Sequence, residues 1–186
     1  GDVDGDGVSE SLATDEGRQC VAQWYVAEAI RRFEEAELPN LQLWGLYWMN
    51  EGASDADVAV ARQFSEAVHA TGKRVLWIPW FMASNWQRWR EMGVDVAIMQ
   101  PNYAFLTTHG GSIRRNRLVV NARAAQREGL GVEIELPMGW RLPGGPMLFR
   151  HYLRDGAADR LGYQQAATAY YFGRDAVETL ASSPVA

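Results

Sequence analysis

The sequence predicts an α/β fold, a partial (β/α)8 barrel of the TIM type with about five parallel strands alternating with helices. Three observations predict it. Apolar, aromatic-rich runs of strand length alternate with amphipathic helical patterns along most of the chain. Leu41–Asn50 is too continuously apolar and aromatic for a half-exposed strand, as a strand of a covered parallel sheet is. No G-x-G-x-x-G or G-x-x-x-x-G-K turn is present, the usual mark of the competing doubly wound sheet, and the loops after the strands are long and aromatic.

The elements follow in order. Residues 1–16 lack apolar periodicity and read as an acidic head or linker, with the barrel domain over 17–186. Val21, Tyr25, Ala29, Ile30 and Phe33 recur at helical spacing, so a helix is expected over Gln19–Glu37, stopped by Leu38-Pro39-Asn40. Leu41–Asn50 reads as a strand and Asp55–Ala70 as a helix closed by Thr71-Gly72. The unit repeats: strand Arg74–Phe81, short helix Trp86–Met92, strand Val94–Gln100, helix Arg117–Arg127. Then come strand Gly131–Leu136, helix Met147–Arg154, strand Ala166–Phe172 and a terminal helix near Asp175–Leu180. A complete barrel takes about 250 residues and eight strands, so these five correspond to its fourth to eighth. An incomplete barrel leaves strand edges open, which favours self-association.

The 186 residues suffice for one domain with a sizeable core; 47% are hydrophobic and 22% charged, an ordinary globular balance. With a formal net charge of −5, and basic residues scattered apart from Arg114, Arg115 and Arg117, a non-specific nucleic-acid footprint is not expected. No apolar run approaches the roughly 20 residues that span a bilayer, so no membrane partner is expected. The single cysteine, Cys20, has no intrachain partner. Gly1–Glu10 is acidic and glycine-rich and does not read as a signal peptide; the expected location is nevertheless extracellular or at the cell surface.

Chemistry concentrates in carboxylates at strand ends. In Gly131-Val132-Glu133-Ile134-Glu135-Leu136, alternation sets Val132, Ile134 and Leu136 on one face and Glu133 and Glu135 on the other. Two buried carboxylates on one face need partners or a function. Glu135 is nearer the C-terminal end, where barrel active sites lie. Asn50-Glu51 ends the first strand, setting an amide beside an acid. Two carboxylates are the minimum for glycoside hydrolysis, retaining at about 5–5.5 Å separation and inverting at about 6.5–9.5 Å. The roles expected are Glu51 as acid/base and Glu135 as nucleophile, with Glu133 replacing it if the register differs. Core packing, ion pairing or a solvated loop account for the same residues without catalysis. Trp48, Asn50, Trp77, Trp80, Gln100, Asn102, Tyr103, Glu133 and Tyr170 are the candidate sugar-binding residues, through aromatic faces and hydrogen-bonding groups. No G-x-S-x-G elbow is present, and His69, His109 and His151 are too scattered for a transition-metal site, so no catalytic cofactor is expected. The head, Asp2-Val3-Asp4-Gly5-Asp6-Gly7-Val8-Ser9-Glu10, matches the front of a calcium loop, with Asp2, Asp4, Asp6, the Val8 carbonyl and Glu10 as ligands. Ala13 stands where such a loop carries its bidentate acid.

The segments WYVAEAIRRF, LWGLYWMNE, GKRVLWIPWF, DVAIMQPNYAF, GLGVEIELP and AYYFG, over about residues 24–173, resemble the bacterial DUF4855 family, in the C-terminal part of its domain. The resemblance implies a barrel related to glycoside hydrolases and supplies no established catalytic residues. A weaker likeness is to the retaining glycosidases that carry Asn-Glu on the fourth strand and a nucleophile on the seventh. The function expected is a glycoside hydrolase cleaving a polysaccharide or oligosaccharide. The alternatives are a non-catalytic carbohydrate-binding barrel and an incomplete fragment.

Overall fold

The computed structural model describes residues 1–105, 116–136, 145–157 and 161–172. The terminal helix near Asp175–Leu180 and the basic pair Arg114-Arg115 lie outside these. Helix α1 spans Asp15–Glu35 and starts before the expected Gln19, because the Thr14 hydroxyl accepts from the Gly17 N–H and Asp15 and Glu16 favour the positive end of the helix dipole. Strand β1 is Gly45–Trp48 and α2 is Asp55–Ala70. Ser54 caps α2 reciprocally with Asp57, an aspartate in the capping-box position usually held by Glu or Gln. Strand β2 is Arg74–Trp77, shorter than expected. Pro79 has no N–H to continue the ladder, though its carbonyl accepts from the Gln100 N–H and Trp80 bridges Gln100. The helix expected over Trp86–Met92 is only a 3-10 turn, Trp86–Arg88, entered through left-handed Asn85. Next come β3 (Val96–Met99), α3 (Asn116–Glu128), β4 (Gly131–Glu135), α4 (Gly145–Ala157), a 3-10 turn at Tyr163–Gln165 and β5 (Thr168–Tyr171).

The five strands lie in the order β1-β2-β3-β4-β5. The pairs β1–β2, β3–β4 and β4–β5 are parallel, with Trp48 opposite Trp77, Met99 opposite Val132 and Glu135 opposite Tyr171. A doubly wound sheet reverses its strand order; this one does not. The fold is therefore α/β of the partial (β/α)8 type. Gly131 opens β4 because a Cβ there would lie 2.1 Å from the Ala167 carbonyl oxygen, so the fifth strand could not approach.

The chain divides into two compact units, Gly1–Trp77 with Ala83–Val96, and Ile78–Met82 with Ala97–Ala186. In the first, Val26, Val58, Phe64, Val68, Val75, Trp77 and Met92 are buried. In the second, Met99, Leu118, Ala122, Val132, Leu136, Leu148 and Tyr152 are buried. Strand β4 is buried at every residue, as a parallel strand covered on both faces is.

Asp95 locks the N-terminal end of β2 in the first unit. Its carboxylate accepts from the Val75 N–H, Arg74 and His69, each at 2.8 Å. Burial pushes the Asp95 carboxyl up, but the Val75 N–H, the Arg74 guanidinium and His69 together outweigh it and hold it below the ordinary carboxylate range. A lowered folded pKa contributes stability that is present above the unfolded value and is lost as pH falls through the folded one. Asp95→Asn is expected to lower stability by about 1.5–3 kcal/mol at neutral pH. The gap to the parent should close below about pH 4. Urea unfolding at pH 7 and pH 3 checks it; a gap that does not change with pH contradicts the ionic lock.

Candidate functional site

Glu135 is the last residue of β4, at the C-terminal end of a parallel strand, and is 0% exposed. Its Oε1 accepts from the Asn102 N–H at 2.6 Å. Its Oε2 accepts from the Ala104 N–H at 3.0 Å and the Tyr152 hydroxyl at 2.6 Å. Asn102 has φ 52, a left-handed value rare outside glycine, and it turns successive N–H groups toward one point. The Gln100-Pro101-Asn102-Tyr103 turn after β3 thus makes a small anion nest, and the Glu135 carboxylate fills it. Burial pushes the Glu135 carboxyl above its ordinary value; the Tyr152 hydroxyl and the N–H donors of residues 102–104 pull it down without cancelling that. Tyr152 is raised well above an ordinary phenol, first by burial and then by Glu135 beside it.

A polar network extends from this carboxylate. Tyr103, 0% exposed, lies edge-on to Tyr152 with centroids 5.7 Å apart, and its hydroxyl meets His151 Nδ1 at 2.7 Å. Tyr163 is buried, and its hydroxyl has no hydrogen-bond partner among the described residues. Burial, then Glu135 and Asp155, raise that phenol too. Gln100 is buried with its side-chain Oε1 also unpartnered among the described residues. Glu133 is buried on the same strand face as Glu135, as the alternation predicts. Trp80 is half-buried, and Tyr170 on β5 is exposed.

The other candidates belong to the first unit. Glu51 is exposed. Asn50 is exposed too; its Oδ1 accepts from the Gly52 N–H at 3.4 Å, and its carbonyl accepts from the Trp77 indole at 2.7 Å. Trp77 is 0% exposed, an internal strut offering no face to a ligand. Trp48 packs on Phe64 of α2 at 5.4 Å. The structure therefore brings Gln100, Asn102, Tyr103, Glu133 and Glu135 into one unit and Trp48, Asn50, Glu51 and Trp77 into the other.

In the head, Asp2 accepts from the Gly5 and Gly7 N–H groups at 2.7 and 3.0 Å, and Asp6 accepts from the Val8 N–H at 2.7 Å. Carboxylate oxygens of Asp2, Asp4 and Asp6 lie within 4.8 Å of one another. Glu10 turns to the Val3 N–H and to Cys20. The Cys20 thiol is pushed up to about 11, by desolvation first and then by Asp4 and Glu10, which favours the thiol over the thiolate.

Sequence reasoning missed Tyr152, His151 and Tyr163. Tyr152 follows Leu148 at helical spacing and reads as ordinary core. The Gln-Pro-Asn-Tyr strand end was the legible signal; its use of backbone N–H groups was not. A comparison with curated proteins finds no match. A family model described as "Domain of unknown function (DUF4855)" matches residues 1–186, the whole length and more than the quoted segments cover, so the chain belongs to the DUF4855 family.

Proposed function

We propose that this chain is a glycoside-hydrolase-like barrel that cleaves an oligosaccharide or polysaccharide with retention, Glu51 serving as acid/base and Glu135 as nucleophile. The observation that carries the reading is the Glu135 carboxylate, fixed at a strand's C-terminal end by the Asn102 and Ala104 N–H groups and the Tyr152 hydroxyl. A held carboxylate enters reaction with little reorganisation. Gln100, Asn102, Trp80 and Tyr170 supply amides and aromatic faces suited to a sugar, with Trp48 and Asn50 beside Glu51. In the same proposal the head binds a structural Ca2+ through Asp2, Asp4, Asp6, the Val8 carbonyl and Glu10, and the protein works outside the cell or on its surface.

One observation favours a second reading, a carbohydrate-binding barrel without turnover. Glu135 has no exposed surface, and both its oxygens are engaged. The two readings part on Glu51→Gln and Glu135→Gln, assayed for reducing-sugar release and for binding by calorimetry on an oligosaccharide panel. Hydrolysis predicts a loss of at least about 100-fold in turnover for each, with sugar still bound. Binding without turnover in the parent protein supports the second reading. Neither turnover nor binding on any sugar sinks both.

A further inference from the structure

We infer that Arg117 is a specificity residue beside Glu135 and selects a sugar bearing a carboxylate, so that the substrate is an acidic oligosaccharide containing uronic acid. The inference rests on the carbohydrate reading of the Glu135 site and names the class of sugar. Among the described residues three arginines are half-buried: Arg18, Arg88 and Arg117. Arg18 pairs with Asp15, and Arg88 with Asp55 and Glu91. Arg117 meets no carboxylate among the described residues; its Nη1 lies 3.5 Å from the Asn102 carbonyl oxygen and its Cζ 5.4 Å from the Phe81 ring centroid. A partly desolvated cation without a counter-charge is costly. This one also stands in the first turn of α3, where it opposes the helix dipole and no acidic residue offsets it.

Asn102 ties that charge to the site. Its N–H donates to Glu135, and its carbonyl receives Arg117. Phe81 is fixed to the neighbouring strand end by its own N–H, which donates to the Gln100 carbonyl at 2.8 Å. All of these residues belong to the second unit. The Asn102 contact uses Nη1 and leaves the edge formed by Nε and Nη2. Neither of those nitrogens has a partner among the described residues, and neither is sealed from solvent. What that edge takes is visible twice elsewhere in this chain. Arg31 grips both oxygens of Glu28 with Nε and Nη2, each at 2.7 Å. Arg88 grips Glu91 with the same two nitrogens, at 2.7 and 2.6 Å. Two parallel donors match the two oxygens of one carboxylate. A neutral sugar hydroxyl would engage one donor and leave the charge unanswered, whereas a uronic acid carries a carboxylate on its ring.

The test is calorimetry on the whole chain with a panel of uronic-acid trimers and the same trimers after reduction of each carboxyl to an alcohol, so that only the anionic group differs. Sulfated neutral trimers form a third arm. The expected result is a uronic-acid trimer bound at least about tenfold more tightly than its reduced form and than any sulfated trimer. Arg117→Gln should erase the preference, bringing the acidic and reduced forms within about twofold of each other with the circular dichroism unchanged. Arg117→Lys, which keeps the charge and loses the fork, should restore only part of it, and it decides the matter if Arg117→Gln does not fold. A preference undiminished in either variant overturns the inference, as does a sulfated trimer bound as tightly as the acidic one. Reduced trimers bound or cleaved by the parent with no preference for the acidic form remove this inference and leave the carbohydrate reading standing. No binding of any sugar removes both.

Discussion

Replacing Glu135 by alanine is expected to destabilise the protein by about 3–5 kcal/mol, among the largest single effects in this chain. Among the donors that converge on its carboxylate are the Asn102 and Ala104 N–H groups and the Tyr152 hydroxyl. All three would lose their acceptor where water cannot replace it, at about 1–3 kcal/mol each and less than additively. Asn102 would also lose what holds its left-handed backbone. Glu135→Gln keeps the shape but turns an NH2 group toward N–H donors, so an intermediate loss is expected. The pH dependence has a definite sign. A carboxyl raised on folding contributes stability that is fully present below its unfolded value, about 4.3, and is lost as pH rises through the folded one. The parent's advantage over Glu135→Gln should therefore shrink as pH climbs through that range. Denaturant unfolding of the three proteins from pH 4 to 8 checks both statements; an advantage that grows with pH contradicts them.

The second large effect is expected at Trp77. Trp77→Ala should cost about 3–5 kcal/mol, since the residue is 0% exposed and its removal leaves a large cavity in the first unit. The indole N–H also donates to the Asn50 carbonyl at 2.7 Å, tying the Asn50-Glu51 strand end to β2. Trp77→Phe retains much of the packing and should cost less. In the hydrolase reading both variants lower turnover through Glu51, because the strand end loses its tether. Thermal unfolding and an assay on the same samples separate the two consequences. A Trp77→Phe protein of parental stability and activity would show that the tether is idle.

The fold was legible because each strand carried its own signal. Arg74 to Trp77 and Gly131 to Glu135 lie within the stretches the apolar runs mark, and α2 begins and ends at Asp55 and Ala70 as read. Ends governed by single atoms were less legible. Pro79 stops β2 by lacking one hydrogen, and Thr14 starts α1 early through one hydroxyl. At the candidate site, alternation put Glu133 and Glu135 on one face, both buried. What occupies Glu135 is non-local. Its donors sit on the turn after β3 and on α4, and their convergence is a property of packing that no spacing rule encodes. Trp77 shows the converse limit. Its place on a strand suggested a sugar platform, but an aromatic on a parallel strand has two faces to choose from, and this one is wholly inside.

The most direct test of the central claim is intact-mass spectrometry of the protein after incubation with a panel of activated 2-deoxy-2-fluoro glycosides, which trap a retaining nucleophile as its glycosyl ester. The hydrolase account predicts one adduct, mapped to the peptide carrying Glu135 and absent from Glu135→Gln. An adduct that persists in Glu135→Gln, or no adduct from any sugar that calorimetry shows to bind, would contradict it.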